Sequence, residues 1–175
     1  MTLTRITDPR HPDYAAALAL YAISFPPHEQ RSAPSQAAIM QDPAYHFTAV
    51  YDVGNFVGLV LYWETAEFLY IEHLCIQPSQ RNHHFGARVL SQLAGLGKPV
   101  ILEIDPPADA VSIRRRSFYL RNGFFENPYP HVHPPYHPEN HGHHLILLSS
   151  PRAITPAEYD CFSTYLRKHV MQNVF

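Results

Sequence analysis

Two hydrophobic patterns follow one another along the chain, and their order predicts a mixed α/β fold. Mostly apolar or alternating runs, which are typical of strands, occur at 2–6, 45–51, 55–63, 68–76, 100–104, 124–127 and 144–149. Apolar residues spaced three or four positions apart, which are typical of amphipathic helices, occur at 14–25, 34–40, 85–96, 109–121 and 155–174. The pattern alone therefore predicts an α/β domain with a mixed sheet.

The strand at 68–76 and the helix at 85–96 are joined by a polar loop that is the most informative stretch of the chain. The residues at 77–80 end the strand, and Arg81 and Gly86 lie where the loop enters the helix. The first turn of a helix leaves backbone N–H groups without partners and carries the positive end of the helix dipole, so such a loop can bind phosphate. The alternative is an ordinary strand–helix connection in which Gly86 allows close packing.

Length and composition limit the classes of function. The chain has 175 residues, which suits a single domain over residues 1–175, and 46% of them are hydrophobic. A formal net charge of −2 argues against the basic surface of a nucleic-acid-binding protein. There are two cysteines without a CxxC motif, and neither a signal peptide nor a membrane-spanning apolar run is present. These features favour a reducing, cytoplasmic location.

Two motifs resemble those of a known family. The segment PSQRNHHFGARVL, at 78–90, resembles the acetyl-CoA signature of the GNAT acyltransferases, whose pattern is Q/R-x-x-G-x-G/A at the turn into a helix. Arg81 takes the first position and Gly86 the last, whereas His84 stands where the family most often has glycine. The segment SFYLRNGF, at 117–124, resembles the FYxxxGF element of the same family. The resemblance covers most of the chain.

The resemblance implies the GNAT fold, in the α/β (α+β) class. This is a mixed, mostly antiparallel sheet of about seven strands, splayed between strands 4 and 5 and flanked by helices, here with an added C-terminal helix at about 155–174. Acetyl-CoA would enter the splay. The implied cofactor contacts are Leu74, Cys75, Ile76, Arg81, Asn82, His83, His84, Phe85, Gly86, Ala87, Ser112 and Arg115. A side chain at Gly86 is expected to point at the phosphates, and His84 to keep a negative φ or to tolerate strain.

Three consecutive arginines at 114–116 depart from the family pattern. Neighbouring residues on a helix project about 100° apart, so three of them cannot share one face. We therefore expect at least one of them to face the cleft or the phosphates of the cofactor, and one to face solvent.

The resemblance also implies a reaction, the transfer of an acetyl group from acetyl-CoA to a primary amine of a small molecule or peptide. The amine would attack directly in a ternary complex. Backbone N–H groups at 74–76 would bind the oxyanion, and Tyr119 would be the acid that protonates the departing thiolate. Two alternatives stay open: Tyr119 is a core aromatic residue, or the protein is a non-catalytic acyl-CoA-binding or sensing protein of the same fold.

The general base has three candidates, Glu72, Glu103 and His73. Glu103 lies in Leu-Glu-Ile, which resembles the segment that carries the base in N-terminal-peptide acetyltransferases of the family. Glu72 and His73 are adjacent on one strand, so they are expected on opposite faces of the sheet. Burial should raise the pKa of such a carboxylate, which suits a base, and the apolar neighbours of Glu72 favour it slightly. A structural salt bridge, for example with the arginines at 114–116, is the competing interpretation.

Two segments should form the acceptor side of the cleft: the loop that follows the first helix, and a Pro- and His-rich segment at 129–143 that would be a stiff lid. The candidate substrate contacts are Phe25, Glu29, Arg31, Tyr129 and His131. A solvated turn with an incidental ion pair explains Glu29 and Arg31 equally well. The histidine spacing fits no zinc motif and no cysteine joins it, so no metal is expected. The expected partner is the amine acceptor, with a homodimer as one option and with no nucleic acid or membrane.

Overall fold

The structure is a computed structural model that describes residues 1–175. Its strands are β1 (Thr2–Arg5), β2 (Tyr45–Asp52), β3 (Asn55–Glu64), β4 (Leu69–Ile76), β5 (Val100–Ile104), β6 (Phe125–Glu126), β7 (Val132–His133), β8 (His143–His144) and β9 (Ile146–Ser150). Its helices are α1 (Tyr14–Ser24), α2 (Ala33–Ile39), α3 (Phe85–Ala94), α4 (Ala110–Arg121) and α5 (Pro156–Tyr165). All the elements predicted from the hydrophobic pattern are therefore present, and only the β7–β8 pair is additional.

A seven-stranded sheet organises the domain, in the order β1-β2-β3-β4-β5-β9-β6. Every neighbouring pair is antiparallel except β4 and β5, which are parallel. The two parallel strands pair only from Leu69 opposite Val100 to Ile71 opposite Leu102. Beyond these residues they separate, so the remaining part of β4 has no partner on that edge. The predicted mixed sheet, splayed between strands 4 and 5, is confirmed.

The sheet is covered on both faces by apolar side chains. One buried cluster includes Trp63 and Phe162 and lies under α1 and α5, while the other includes Val89 and Leu93 of α3. The C-terminal helix α5 packs on its own domain, with Phe162 in the core. It ends at Tyr165 and continues as a wide π-helical turn to Val170, short of the predicted end at residue 174. No helix of the protein has both the length and the apolar character needed to span a membrane.

A bulge in β4 decides which way the candidate bases point. The register against β3 shifts between Ile71 and His73, so Glu72 is an extra residue on this strand. As a result Glu72 and His73 both lie on the face covered by α1 and α5. Trp63 donates its indole N–H to Glu72 at 2.9 Å, and the His73 ring packs edge-on against Tyr21 with ring centroids 5.0 Å apart. The prediction that the two side chains lie on opposite faces is wrong, because strict alternation does not hold across a bulge.

The glycine within β3 is explained by a close backbone approach. A Cβ atom at Gly58 would lie 2.6 Å from the carbonyl oxygen of Cys75 on β4, a distance that real Cβ atoms essentially never show. The strand also changes register against β2 next to this residue. Gly58 therefore lies both beside a bulge and at a close approach of two backbones, which are the two usual reasons for a glycine within a strand.

The N-termini of two helices are held in different ways. Thr155 and Glu158 form a capping box at the start of α5, since the Thr155 hydroxyl accepts from the Glu158 N–H at 3.3 Å and Glu158 accepts from the Thr155 N–H at 2.7 Å. Asp13 occupies the N-cap position of α1, but its side chain caps no helical N–H. Its carboxylate instead accepts the hydroxyl hydrogen of Tyr51, which ties the start of α1 to β2.

The turn between β2 and β3 provides a stability prediction. Val53 and Gly54 both have positive φ, 48° and 79°, and Val53 is 92% exposed. A two-residue hairpin turn favours Asn at the first of these positions, whereas a β-branched residue is strained there. We expect Val53→Asn to raise the free energy of unfolding by about 1 kcal/mol, as measured by urea denaturation. Ile23→Asn, at an exposed helical position, should give no such gain; an equal gain there would show that polarity, not φ, is the cause.

Candidate active site

The separation of β4 from β5 opens a cleft of about 350 Å³. Its walls come from β4, β5, the loop after α1, α4 and the segment that contains β7 and β8. The predicted site residues that line it are Phe25, Glu29, Glu72, His73, Leu74, Cys75, Ile76, Arg81, Glu103, Arg115 and Tyr119. Sequence-distant residues are thus brought to one place by the splay in the sheet.

The loop that enters α3 presents a series of free backbone donors beside Arg81. None of the N–H groups from Asn82 to Ala87 donates to a protein acceptor, and the first helical bond is that from Arg88 to His84. Asn82 and His84 have left-handed φ values of 66° and 60°. Left-handed residues that alternate with right-handed ones turn successive N–H groups towards one point, and the helix dipole adds to the effect. This arrangement suits a phosphate group. Of the two expectations for His84, a negative φ or a strained conformation, the structure shows the second, because its φ is positive.

Gly86 has a different role from the one expected. A Cβ atom at this position would meet the ring of Phe118 on α4 at 3.1 Å, so the absent side chain faces the neighbouring helix. The expectation that a side chain at Gly86 points at phosphates is therefore wrong. The alternative interpretation, in which glycine allows close packing, is confirmed, because α3 and α4 approach each other here.

Helix α4 places one of its three arginines in the cleft. Arg115 pairs with Asp105 at 2.6 Å and lines the cleft, whereas Arg114 is exposed and has no partner. The prediction that one arginine faces the cleft and one faces solvent is confirmed. Ser112 was expected to contact the cofactor, but its hydroxyl accepts from the N–H groups of Ala108 and Asp109, at 3.1 and 3.0 Å. It is a capping residue, and its predicted role in binding is wrong.

Two backbone N–H groups of β4 point into the splay. The N–H of Gln77 donates to Val57 on β3 at 2.9 Å, and Cys75 lies opposite Leu59 in the same ladder. Successive N–H groups of a strand alternate between its two edges, so those of Leu74 and Ile76 face the opposite edge. That edge has no partner strand, because β5 has already diverged. The predicted oxyanion donors therefore lie in the cleft.

Tyr119 lies in the cleft with its hydroxyl free of protein hydrogen bonds. Burial raises its pKa to about 12, although the nearby Arg115 acts in the opposite direction. The phenol therefore keeps its proton throughout the neutral range. Cys75 is also protonated, because burial raises the pKa of its thiol to about 11. A neutral, buried thiol is a poor nucleophile, so Cys75 belongs to the wall of the cleft.

Glu72 is a buried carboxylate whose lone pairs are already used. It accepts from Arg31 at 3.0 and 3.2 Å, from the Tyr136 hydroxyl at 2.7 Å and from the indole of Trp63 at 2.9 Å. Burial acts to raise its pKa, but the charge of Arg31 and these donors outweigh burial, and the pKa is lowered. The prediction that burial raises the pKa of Glu72 is therefore wrong. The salt-bridge interpretation holds instead, with Arg31 in place of the arginines at 114–116.

Glu103 is held in a similar way. It accepts from the Tyr70 hydroxyl at 2.5 Å and from Nε2 of His131, while Nε2 of His133 lies 3.9 Å away. Burial acts to raise its pKa, but the two imidazoles and the Tyr70 hydroxyl lower it, so the carboxyl is ionised more readily than usual. The prediction that burial raises the pKa of Glu103, which would suit a base, is therefore wrong as well.

His73 is neutral. Its Nε2 lies 3.0 Å from the carbonyl oxygen of Glu29, and because a carbonyl only accepts, Nε2 carries the proton. Burial lowers the pKa of His73 to about 4, although the adjacent Glu72 acts in the opposite direction. Nδ1 is buried without a hydrogen-bond partner. An imidazole with this pKa is a weak base.

Glu29 is the remaining carboxylate of the predicted set. Its side chain is 27% exposed, and its nearest ion-pair partner is Nε2 of His28 at 3.6 Å. Burial raises its pKa, and the charge of Asp105 raises it further. The donor atoms of His28, Glu29 and His143 lie within 4.8 Å of one another, which is a spacing that a cation could bridge. The absence of a metal stays a prediction.

The sequence of this chain matches the acetyltransferase (GNAT) family over residues 14–124. The chain belongs to the GNAT acetyltransferase family. No curated protein sequence matches it. A solved structure from Bacteroides thetaiotaomicron, assigned to the same family, superposes with a TM-score of 0.91 at 26% identity and covers 98% of both chains.

Two more distant structures share the fold. An aminoglycoside 6'-N-acetyltransferase in complex with coenzyme A gives a TM-score of 0.57 at 16% identity, over 88% of this chain and 100% of its own. The ribosomal-protein-S18-alanine N-acetyltransferase of Escherichia coli gives a TM-score of 0.55 at 17% identity, over 88% and 95%. At these identities the likeness shows the fold alone.

Three predicted substrate contacts of this GNAT protein lie outside the cleft. Arg31 is buried against Glu72 and donates to the carbonyl of Val170 at 2.6 Å. Tyr129 stacks on Tyr159 of α5 with ring centroids 4.3 Å apart, and His131 is buried against Glu103. The assignments of Arg31, Tyr129 and His131 as substrate contacts are corrected: burial and internal partners make them supports of the cleft wall.

The segment at 129–143 does line the cleft, through residues that were not singled out from the sequence. Its two ends pair as β7 and β8, and its lining residues are His133, Pro134, Pro135, Tyr136, Asn140, His141 and His143. Tyr136 reaches Glu72 across the cleft, and His133 reaches Glu103. The ring-rich composition was a signal for the segment as a whole, but no local pattern marked these residues, or His28 and Asp105.

Proposed function

We propose that this GNAT protein transfers an acetyl group from acetyl-CoA to a primary amine of a small molecule or peptide, by direct attack in a ternary complex. One observation carries the proposal: a single cleft is lined both by Arg81, which precedes the free N–H groups of the loop at 82–87, and by four carboxylates. The first suits the pyrophosphate of a nucleotide cofactor, and the second suits a positively charged acceptor.

The residues at the cofactor end fit acetyl-CoA. The free N–H groups from Asn82 to Ala87, with Arg81 beside them, would hold the pyrophosphate. The free edge of β4 would pair with the amides of the pantetheine arm, as an added strand would. The N–H groups of Leu74 and Ile76 are the donors available to a developing oxyanion, for which one donor is typically worth about 2.7–4 kcal/mol.

The chain supplies two further contributions to the transfer. Tyr119 keeps its proton in the neutral range and has no competing partner, so it can donate to the departing sulfur. The walls made by the α1 loop, β5 and the β7–β8 segment hold the two substrates together, which removes much of the entropic cost of their meeting. A cytoplasmic location is part of the proposal and is supported by the two unpaired cysteines.

The test has two arms. Isothermal titration calorimetry with acetyl-CoA measures binding, and release of free thiol in the presence of phenethylamine, 1,4-diaminobutane or a tripeptide with a free N-terminus measures transfer. We expect binding and amine-dependent thiol release. Binding without release from any of the amines would favour the alternative of a non-catalytic acyl-CoA-binding protein, and no binding would contradict both.

Arg81→Ala should weaken acetyl-CoA binding about tenfold, because hydrogen bonds to charged groups contribute roughly 1.5–3 kcal/mol. The residue is exposed, so the fold should be unaffected. Calorimetry at low and high salt checks the prediction, since the loss should shrink as salt screens the charge. Arg114→Ala removes the same charge from an exposed position outside the cleft and serves as the control. Equal affinity in both variants would place the phosphates elsewhere.

A further inference from the structure

We propose that Glu29 is the general base, which removes a proton from the acceptor amine in the cleft and passes it through His28 to solvent. The inference rests on the proposed function and names the residue that performs the proton transfer. It goes beyond the candidates that the sequence offered, because Glu29 lies on the α1 loop and not on the central strands.

Of the four carboxylates that line the cleft, three are already engaged within the protein. Glu72 accepts four hydrogen bonds from within the protein, and Glu103 is held by Tyr70 and His131. Asp105 accepts from Arg115 at 2.6 Å. The Glu29 carboxylate has no hydrogen bond, and its closest ion-pair partner, His28, stands 3.6 Å away. It is therefore the carboxylate whose lone pairs can receive a substrate proton.

Glu29 also lines the cleft that opens between β4 and β5. The Glu29 carbonyl is 3.0 Å from the ring of His73, and His73 is adjacent to Leu74, whose N–H points into the splay. On the other side, the Glu29 carboxylate lies within 4.8 Å of a ring nitrogen of His143, and Nε2 of His143 lies 3.2 Å from Asp105, the residue that follows β5. Glu29 thus lies near both of the diverging strands and lines the cleft, so an amine bound in the cleft can reach its carboxylate.

The charges around Glu29 act on its pKa in both directions. Burial and, after it, Asp105 favour the protonated form of Glu29, while His28, His143 and Arg115 favour its ionised form. The balance raises its pKa, which makes it a stronger base than Glu72 or Glu103. His28, beside it, has a side chain that is 55% exposed, so it can carry the proton out to water.

Each of the two protons that the ammonium nitrogen loses has its own acceptor. Glu29 takes one proton from the ammonium group, and the freed nitrogen lone pair forms the C–N bond to the thioester carbonyl carbon. The C–S bond breaks with its electron pair on sulfur, and the second nitrogen proton replaces the one that the thiolate receives from Tyr119. The products are the acetamide, the free thiol and one proton, which Glu29 loses through His28.

The experiment compares kcat/KM of wild type and Glu29→Gln from about pH 6 to about pH 10, with 1,4-diaminobutane or phenethylamine as acceptor and EDTA present to remove divalent cations. In wild type, kcat/KM should not change with pH between the pKa of Glu29 and the pKa of the amine. In Glu29→Gln it should be about 10²–10⁴-fold lower near neutrality and should rise about tenfold per pH unit, because only the free amine reacts. Acetyl-CoA affinity, by calorimetry, should not change.

Two further variants separate chemistry from structure. Glu29→Asp keeps a carboxylate and should restore a level profile, and Glu139→Gln makes the same change at an exposed position of the lid. A Glu29→Gln protein with a wild-type rate, or with a lower rate but a level profile, would overturn the role as base. A wild-type protein that binds acetyl-CoA but releases no thiol with any amine would overturn the proposed function itself, and the role of Glu29 with it.

Discussion

Arg31→Met is expected to lower the free energy of unfolding by about 3–5 kcal/mol, because it leaves the Glu72 carboxylate buried without its cation. The side chains of Arg31 and Glu72 are each 1% exposed, so water cannot replace the lost partner. The substitution also removes the bond from Arg31 to the Val170 carbonyl, which holds the C-terminal turn against β4. Urea denaturation measures the loss.

A second variant shows whether the loss comes from the unpaired charge. Arg31→Met combined with Glu72→Gln removes both charges but keeps an oxygen that can accept from Trp63 and Tyr136, so it should recover most of the stability. Arg116→Met removes a surface pair with Glu126 and should change stability little. If the double variant were as unstable as Arg31→Met, then packing of the Arg31 side chain, not charge, would be the cause.

The buried carboxylates of Glu72 and Glu103 should make the folded protein less stable as the pH is lowered. Glu72 and Glu103 have lowered pKa values in the folded protein. Their contribution is therefore complete above the pKa of an unfolded Glu, about 4.3, and is lost as the pH falls through the folded pKa. In Arg31→Met the pKa of Glu72 is no longer held down. The difference in stability between wild type and this variant should consequently narrow as the solution is acidified.

The secondary structure of this GNAT protein was predictable because each element carries its own local pattern. The helix α3 shows this: Phe85, Val89 and Leu93 are spaced on one stripe, and all three are buried. The splay between β4 and β5 was predicted from the resemblance of two motifs to a known family. Hydrophobic periodicity could not predict it, because no local sequence pattern indicates where two parallel strands stop pairing. The anion-binding role of the loop at 81–87 stays a prediction, and the packing role of Gly86 could not be predicted without the position of Phe118 on α4.

The acid–base groups could not be assigned from the sequence, because their state depends on partners far away along the chain. Glu72 is held by Arg31 and Tyr136, which are separated from it by 41 and 64 positions. Its orientation depends in addition on a one-residue bulge that strict alternation does not predict. Burial alone would have raised its pKa, and only the identity of its partners reverses the sign. The candidates on central strands are therefore structural, and the free carboxylate is on a loop.

Tyr119→Phe is expected to lower kcat about 10²-fold, with acetyl-CoA affinity unchanged. The phenylalanine keeps the ring that packs against Phe124, with centroids 5.6 Å apart, and removes only a hydroxyl that no protein group engages. General acids typically contribute about 10²–10⁴-fold. The pKa of Tyr119, about 12, lies above that of an ordinary thiol, about 8.5, so complete proton transfer to sulfur is uphill and the effect should lie at the lower end.

The comparison that decides the role of Tyr119 is with Tyr62→Phe, which removes a hydroxyl from a buried ring on β3 that stacks on His46, outside the cleft. Thiol release should fall in the first variant and stay at the wild-type rate in the second, while calorimetry gives the same affinity for acetyl-CoA in both. A hydroxyl that acts only on the departing sulfur lowers kcat and kcat/KM together. Wild-type turnover in Tyr119→Phe would make Tyr119 a packing residue of α4, and a loss confined to acetyl-CoA affinity would make it a binding residue.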